Sequence, residues 1–257
     1  MPHGRPRAGK PDIKRPAIKR PITKRARHHA PARLLECRAM SGSFPIFDAA
    51  CQHLIGALAP ASALDIGAGS GKYGRMLAAA APSCASVAIE AEAVHAERFA
   101  LGELYRRVDI ADAAQWWRAN PQESFDLVIA GDCLQQMAKS EGQDLLNAML
   151  YRSAYLIVIA PEFVVQGAVD GLASAVHRSA WSERDLHWHD LWAWDNARSV
   201  TLAVLRGYQP SGVSLDALVR DHNDAHVPVR DYDGAGLVRP CRLRLVDHAR
   251  EAVYRPR

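Results

Sequence analysis

Apolar and polar positions along this chain separate short strand-like runs from longer helix-like segments. Past Met40 the two kinds of segment alternate, which is the pattern of a parallel sheet covered by helices. The strand-like runs fall at residues 61–66, 86–90, 104–109, 125–130 and 155–160, and after a long loop at residues 190–194 and 199–206. The helix-like segments span residues 46–58, 72–81, 93–99, 112–119 and 140–152. The pattern predicts an α/β fold.

Local signals refine the ends of these elements. Ser140 stands where a helix N-cap is expected, and Ser182 with Asp185 forms a capping-box pattern that predicts a short helix. The pair Asp195-Asn196 is a good turn sequence between the last two runs, so an antiparallel hairpin is expected there. The sequence thus predicts a Rossmann-like, seven-stranded, mostly parallel sheet with a terminal antiparallel hairpin. Residues 241–246, CRLRLV, look like an extra strand beyond it.

The turn between the first strand and the next helix is rich in glycine, reading DIGAGSG from Asp65 to Gly71. Glycines let a backbone curve sharply and approach a ligand, and the following helix presents unpaired N–H groups. Gly69, Gly71 and Gly74 also satisfy GxGxxG, a weak signature shared with dinucleotide-binding enzymes. Asp65 would repel a pyrophosphate but suits an ammonium group. This arrangement favours S-adenosylmethionine, which has no phosphate, over NAD or FAD.

Acidic residues end the following strand-like runs. Glu90 lies 19 residues after Gly71 and can accept hydrogen bonds from ribose hydroxyls, with Glu92 as a nearby competitor. At the end of the third run, Asp109 could take the adenine amino group and Ile110 could cover the ring; a solvated aspartate is nearly as plausible there. The fourth run, FDLVIAGD, delivers Asp132 to the edge where ligands of open α/β sheets bind.

Charge is distributed unevenly along the chain. The net charge is +4, but residues 1–40 hold twelve Lys or Arg and two acidic residues, leaving 20 basic and 26 acidic residues in the remainder. This proline-rich tail is expected to be disordered. It suits an arm for nucleic acid or another anionic surface, but a solvated tail is the favoured interpretation, because no aromatic residue precedes Phe44. We expect a domain that binds S-adenosylmethionine over residues 41–207 and an extension of unassigned role over residues 208–257.

Composition indicates the compartment and excludes some chemistry. No apolar run approaches the roughly 18 residues of a membrane span, and the basic start lacks the apolar core of a secretory signal, so a cytoplasmic protein is expected. The five cysteines are dispersed without a CxxC pair, which indicates neither a zinc site nor a disulfide framework. His187 and His189, in HWHD, lack further spaced ligands, so no metal is predicted. The oligomeric state is left open.

Four segments carry a family resemblance: ALDIGAGSGKYG at 63–74, FDLVIAGDCLQQMAKSEGQDLL at 125–146, APEFVVQGAVDG at 160–171 and HRSAWSERDL at 177–186. Over about residues 55–206 the chain resembles bacterial class I S-adenosylmethionine-dependent methyltransferases, mostly of unassigned substrate and often encoded near genes for glycan synthesis. The family pattern includes a GKYG helix start, Asp-x-x-Glu-His, a Lys-x-x-Gly helix and His-x-Ser-x-Trp. Here Gln135-Gln136 replaces Glu-His, and residues 172–175 replace the family's Asn-Pro-x-Glu.

The resemblance and the motifs together predict an enzyme that transfers a methyl group from S-adenosylmethionine to a small-molecule or glycan-type acceptor by in-line displacement. The predicted cofactor-binding residues are Asp65, Gly67, Ala68, Gly69, Gly71, Tyr73, Glu90, Asp109, Ile110 and Asp132. His177, as a general base, and Asp132 are the candidate catalytic residues, although His177 and Trp181 could equally hold a loop in place.

Three alternatives stay open at the sequence level. A cofactor-binding protein with weak or no catalysis would explain the loss of titratable groups at Gln135 and Gln136. A nucleic-acid methyltransferase recruited by the basic tail is less favoured. A NAD-dependent oxidoreductase is the least favoured of the three.

Overall fold

The computed structural model describes residues 43–163, 166–168 and 173–248. Its strands are β1 (Ser62–Ile66), β2 (Ala85–Glu90), β3 (Arg107–Ile110), β4 (Phe125–Gly131), β5 (Ser153–Pro161), β6 (Leu191–Ala197), β7 (Val200–Arg206), β8 (Pro228–Arg230), β9 (Leu237–Pro240) and β10 (Arg244–Asp247). Eight of these form one sheet in the order β10-β6-β7-β5-β4-β1-β2-β3, and β8 pairs with β9 alone. The predicted basic tail, residues 1–40, lies outside the described residues.

The sheet confirms the predicted α/β fold class. Strands β1 to β5 pair in parallel, and β7 lies antiparallel between β5 and β6. The chain runs outward from β1 through β2 to β3, then crosses back to β4 on the other side of β1. That reversal is a topological switch point, and ligands of open α/β sheets bind in the crevice at the carboxyl ends of the strands there.

Helices cover both faces of the sheet. They are α1 (Asp48–Leu58), α2 (Lys72–Ala80), α3 (Ala93–Arg98), α4 (Leu101–Leu104), α5 (Ala113–Ala119), α6 (Lys139–Tyr151) and α7 (Leu215–Asp224). One apolar core lies between the sheet and α1, α2 and α7, and the other lies between the sheet and α5 and α6. Because successive strand residues point to opposite faces and helices cover both faces, the central strands carry apolar residues on both sides, and β5 is buried at all nine positions.

Two predictions are wrong: the N-cap of helix α6 and the turn of the hairpin formed by β6 and β7. Helix α6 begins at Lys139, and its N-cap is Ala138 rather than Ser140, because the Glu141 carboxylate reaches back to accept the Ala138 N–H at 3.1 Å. The turn of the hairpin lies at Arg198 and Ser199, whose φ angles are +54° and +56°. The predicted turn pair, Asp195-Asn196, lies inside β6.

The burial of Asp195 explains the second error. Its side chain is 2% exposed and forms a paired salt bridge with Arg239, at 2.7 and 2.8 Å, and accepts the Arg242 N–H at 2.9 Å. Both partners come from the segment after β7, so nothing local to Asp195 reveals the pairing. A strand position is therefore stabilised by residues more than forty positions away.

Residues 208–248 belong to the same fold. Helix α7 packs on α1, and the predicted strand at 241–246 is present as β10, shifted to Arg244–Asp247 and paired antiparallel with β6. The third predicted strand also shifts: β3 begins at Arg107, because the residues up to Leu104 form helix α4. Within the described part of the chain, no helix is long and apolar enough to cross a membrane.

Candidate functional site

The glycine loop joins β1 to α2 at the switch point of the sheet. Gly67, Gly69 and Gly71 have φ angles of +70°, +50° and +77°, which side-chain-bearing residues rarely adopt. The N–H groups of Gly67 and Ala68 donate to the Ile89 carbonyl at 2.9 and 3.2 Å. A Cβ on Gly67 would lie 2.9 Å from the Cβ of Cys133. The loop therefore packs between the ends of β2 and β4, the two strands that flank β1.

Asp65 lies below this loop and is fully buried. The Tyr105 hydroxyl donates to its Oδ2 atom, while Oδ1 has no hydrogen-bond partner among the described residues. Burial raises the pKa of Asp65 to about 7, and the hydrogen bond from Tyr105 opposes the rise. The Tyr105 ring also explains Gly74, where a Cβ would lie 2.4 Å from that ring. Asp65 therefore carries one unsatisfied oxygen whose charge a nearby cation would favour.

Glu90 ends β2 and turns its carboxylate towards the glycine loop. Its Oε2 accepts the Gly69 N–H at 2.8 Å, and its Oε1 accepts the Glu92 N–H at 3.1 Å and lies 3.3 Å from His95 Nδ1. A carboxylate has about four lone-pair sites, so Oε2 can still accept a hydroxyl proton. Of the two acids weighed in the sequence, Glu90 is the one that reaches the loop, since Glu92 supplies the N-cap position of α3.

Asp109 and Ile110 lie at the end of β3, next to Glu90 in the sheet register. The Asp109 Oδ2 atom accepts the Trp116 indole N–H at 2.7 Å and lies 3.2 Å from Arg107 Nε. Both contacts are to Oδ2, so Oδ1 keeps its capacity to accept the predicted bond from an adenine amino group. Ile110 is 49% exposed, which leaves an apolar side chain open beside Glu90.

Asp132 follows β4 in an unusual conformation. Its φ angle is +54°, and its Oδ2 atom is buried without a hydrogen-bond partner among the described residues. The preceding residue, Gly131, lies under the Tyr73 ring, where a Cβ would be 2.1 Å from the ring. Burial raises the pKa of Asp132 to about 7; the nearby charge of Lys72 opposes the rise, and Asp48 adds to it. Left-handed backbone at a non-glycine residue is a form of strain that clusters at functional sites.

The loop after β5 is held over the end of β4 by a group of structural contacts. The Gln135 carbonyl accepts the N–H groups of Arg178 and Ser179 at 2.7 and 3.1 Å. The Ser179 hydroxyl accepts the Trp181 indole N–H at 2.9 Å and donates to the Met137 carbonyl at 2.9 Å. Trp181 is 2% exposed and therefore packs in the core. The predicted HxSxW pattern thus fixes this loop in place.

Helix α6 is adapted to that tryptophan. The Lys139 ammonium lies 4.1 Å from the centre of the Trp181 ring and also bonds Asp185 at 2.9 Å. A Cβ on Gly142 would lie 2.4 Å from the ring. Two positions of the Lys-x-x-Gly motif therefore serve one buried side chain, which is a packing role rather than a catalytic one.

His177 differs from Trp181, the other ring of the HxSxW pattern, because one of its ring nitrogens has no hydrogen-bond partner in the described structure. Its Nδ1 atom is buried without a hydrogen-bond partner among the described residues, as is the Oε1 atom of Gln135. Burial lowers the pKa of His177, and a hydrogen bond to the Phe163 backbone opposes the change. A neutral imidazole with a free nitrogen can accept a proton.

The HWHD segment, residues 187–190, lies away from the glycine loop. His187 packs edge-on against Trp192 with ring centres 5.8 Å apart, at the start of β6 and so at the opposite end of the sheet from the glycine loop. Within residues 43–163, 166–168 and 173–248, no three His, Cys, Asp or Glu side chains converge as a metal site would require.

Comparisons with known proteins identify the fold. The chain matches no protein family model and no curated protein. Among solved structures it is similar to TehB from Haemophilus influenzae, at a TM-score of 0.50 and 12% identity over 62% of each chain. It is also similar to the N-terminal domain of EvdMO1 with SAH bound, at 0.47 and 16% identity over 63% of this chain and 81% of that one.

A third similar structure is the N-methyltransferase NodS from Bradyrhizobium japonicum WM9 in complex with S-adenosyl-L-homocysteine (SAH), at a TM-score of 0.46 and 17% identity over 63% of this chain and 86% of that one. At these identities the likeness concerns the fold, which is Rossmann-like with a mostly parallel sheet. The narrower subgroup suggested by the sequence motifs stays a prediction.

Proposed function

We propose that this protein is an S-adenosylmethionine-dependent methyltransferase that acts on a small-molecule or glycan-type acceptor. The observation that carries the proposal is the hydrogen bond between the Glu90 carboxylate and the Gly69 N–H, because it joins the glycine loop to the strand-end acid at the switch point of the sheet. Phosphate-binding loops present N–H groups to an anion, whereas here a carboxylate already takes one of them. This supports a cofactor that carries hydroxyls and cationic groups.

The described residues fit that cofactor along the crevice. Gly67, Ala68, Gly69 and Gly71 would cradle it, Glu90 would accept the ribose hydroxyls, and Ile110 would cover the adenine ring beside Asp109. At the other end, Asp65 and Asp132 each have a buried carboxylate oxygen without a partner in the described structure. An ammonium or sulfonium nearby would favour the ionised form of both carboxyls. Two such oxygens would be hard to reconcile with a bound pyrophosphate.

When bound, S-adenosylmethionine supplies a strongly electrophilic methyl group, so the protein's main task is orientation. Holding two reactants in line is worth up to roughly 7–11 kcal/mol in favourable cases. On the acceptor side, His177 would take a proton at Nδ1 if the nucleophile is a hydroxyl, and Asp132 would border the same space. The loop contacts of Ser179 and Trp181 would hold His177 in place.

A specific observation also favours a second candidate, a cofactor-binding protein with weak or no transfer activity. The Gln135 carbonyl accepts N–H groups from the loop after β5, and Gln136 Nε2 donates to the Asp132 carbonyl at 3.4 Å. Neither glutamine can exchange a proton near neutral pH. If His177 does not act as a base, Asp132 is the other candidate base among the residues predicted to be catalytic.

Two measurements test the proposal. Calorimetric titration of the purified protein with SAH and with NADH separates the cofactor classes, and we expect binding of SAH alone. A labelled-methyl transfer screen against sugar nucleotides, glycans, small acids and RNA then identifies the acceptor. Binding of SAH without transfer to any acceptor would support the second candidate, and binding of NADH alone would contradict both.

A further inference from the structure

The two carboxylate oxygens of Glu90 have different partners. Oε2 accepts the Gly69 N–H at 2.8 Å and keeps a lone pair for the proposed ribose contact. Oε1 accepts the Glu92 N–H at 3.1 Å and lies 3.3 Å from His95 Nδ1. Because the two oxygens belong to one rigid group, the groups that hold Oε1 also determine where Oε2 points.

His95, on α3, is the one side chain that hydrogen-bonds Glu90 in the described part of the chain. The His95 side chain is 15% exposed and that of Glu90 is 6% exposed, so water competes little for this contact. A neutral imidazole donates to Oε1 when Nδ1 carries its proton, and an imidazolium ion donates from the same nitrogen. The contact is therefore available in either protonation state of the ring.

The rest of the segment between β2 and β3 supports other parts of the glycine loop. Leu104 lies against Gly71, where a Cβ would be 2.5 Å from the leucine side chain. The Tyr105 hydroxyl donates to Asp65 below the loop. Neither contact involves the acid expected to bind the ribose, so His95 has a separate task within this segment.

Packing does not explain why a histidine stands at this position. None of the six residues of α3 is buried. The His95 ring lies beside the Phe99 ring, with ring centres 5.9 Å apart, and Phe99 packs on the core. An apolar side chain could make that contact equally well. The feature that requires a hydrogen-bond donor here is the Glu90 carboxylate.

We propose that His95 is a positioning residue for the cofactor: it holds Oε1 of Glu90 and thereby aims Oε2 at the glycine loop and at the ribose hydroxyls. Binding sites depend on such supporting contacts, because a loosely held binding group loses its geometry. The contact with the ribose rests on the proposed function, whereas the hold on the glycine loop through Gly69 does not.

Hydrogen exchange of the Gly69 amide, followed by NMR in the ligand-free protein, tests the hold on the loop. We expect His95→Leu to speed this exchange by about three- to tenfold, the usual worth of one hydrogen bond. Glu90→Ala, which removes the acceptor, should speed it at least as much. His95→Asn should restore most of the protection, because its amide nitrogen is as many bonds from Cβ as Nδ1 is. Amides of β5 report any change in global stability.

Titration with SAH tests the effect on the cofactor. We expect His95→Leu to weaken SAH binding by about three- to tenfold and His95→Asn to restore most of it. Because His95 acts through Glu90, His95→Leu should change the affinity by less than about twofold when Glu90→Ala is already present. The matched control is Glu97→Leu, an exposed position on the same helix, which should leave both the exchange and the affinity unchanged.

The outcomes separate this inference from the proposed function. Faster Gly69 exchange in His95→Leu, in a protein that binds no SAH, would uphold the positioning role and contradict the proposed cofactor. SAH binding with unchanged affinity and exchange in His95→Leu would overturn the inference and leave the proposed function standing. An equal loss of affinity with and without Glu90 would also overturn it. If His95→Leu does not fold, His95→Ala is measured in the same way.

Discussion

Glu90 accepts a hydrogen bond from the main-chain N–H of Gly69 at 2.8 Å, across 21 residues of sequence. The acid expected to hold the ribose therefore also holds the loop expected to cradle the cofactor. A single carboxylate links two parts of the predicted site before any ligand arrives.

We expect Glu90→Ala to weaken SAH binding by about ten- to a hundredfold, since hydrogen bonds to a charged group contribute about 1.5–3 kcal/mol each. Glu90→Gln should lose less, because an amide oxygen can still accept the Gly69 N–H. Glu92→Ala is the matched control and should bind SAH within a few-fold of wild type. Calorimetry checks all three, and equal affinities for Glu90→Ala and wild type would contradict the role of Glu90.

We expect Asp65→Asn to make the folded protein more stable and, at the same time, to weaken its binding of SAH. The pKa of Asp65 is raised to about 7 from 3.8, so its contribution to stability is full below pH 3.8 and is lost as the pH rises through 7. Relative to wild type, the variant should therefore gain stability as the pH rises from about 4 to about 7, because it no longer buries a charge. Its SAH affinity should lie below that of wild type from about pH 7 upwards, where the wild-type carboxyl is ionised. Thermal denaturation and calorimetry at matched pH values test this, and a stability difference between variant and wild type that does not change over this pH range would contradict it.

His177→Ala should lower the rate of methyl transfer to a hydroxyl acceptor by about 10²- to 10⁴-fold, the usual contribution of a general base. SAH affinity should change little, since the cradle lies on other strands. Ser179→Ala is the informative companion, because it should reduce activity by loosening the loop while also lowering the melting temperature. A His177→Ala enzyme with normal turnover would assign His177 a purely structural role.

Gly142→Ala should destabilise the protein by about 1–3 kcal/mol, the usual cost of overpacking a filled core, because its Cβ would lie 2.4 Å from the Trp181 ring. Gly102→Ala is the matched control, since no atom lies within 4 Å of a Cβ there. Denaturant unfolding of both variants checks the difference. Equal stabilities would show that Trp181 can move aside.

His222 should make the protein less stable in acid. It is fully buried on α7, with its Nδ1 3.3 Å from His53 Nδ1, and burial lowers its pKa to about 4 from 6.5, with His53 adding to the effect and Asp195 and Asp221 opposing it. As the pH falls, the unfolded chain binds this proton at a higher pH than the folded protein does. The free energy of unfolding therefore falls by about 3 kcal/mol at most between about pH 6.5 and pH 4, and then levels off.

The difference between wild type and His222→Gln isolates this effect, because the variant lacks the titrating ring. The free energy of unfolding should fall less steeply with acid in His222→Gln than in wild type over that range. His187→Gln, at an exposed position, should follow wild type. Parallel curves for wild type and His222→Gln would contradict the assignment.

The sequence predicted the parts of this fold that depend on local patterns. Buried strands such as β4 and β5 show continuous apolar runs, and Gly67, Gly69 and Gly71 show their backbone requirement directly. The capping box at Ser182 and Asp185 is also present in the structure. In each case the residues that determine the structure lie next to one another in sequence.

The N-cap of α6 was missed for a local reason, the Glu141 carboxylate, whereas the features that the sequence could not show depend on long-range partners. Asp195 resembles a turn residue until Arg239 is placed beside it, and no local signal marks the pairing. The predicted helix start at Lys72 is confirmed, but the sequence does not show that the Lys72 ammonium donates to Ser43, Phe44 and Asp48. The missing signal in both cases is a charged side chain whose partner lies far along the chain.

Strand β10 also gives residues 208–248 a role at the edge of the sheet. It pairs along β6 from Leu191 to Trp194 and places Arg244 and Asp247 at its two ends. Because β10 is the last strand in the sheet order, the edge of the sheet is a four-residue strand with a charged residue at each end. A chain ending at residue 207 would instead leave the longer, more apolar β6 as the edge, and such edges recruit strands from other molecules. The segment with no assigned chemistry would then be what keeps one copy of this sheet from adhering to the next.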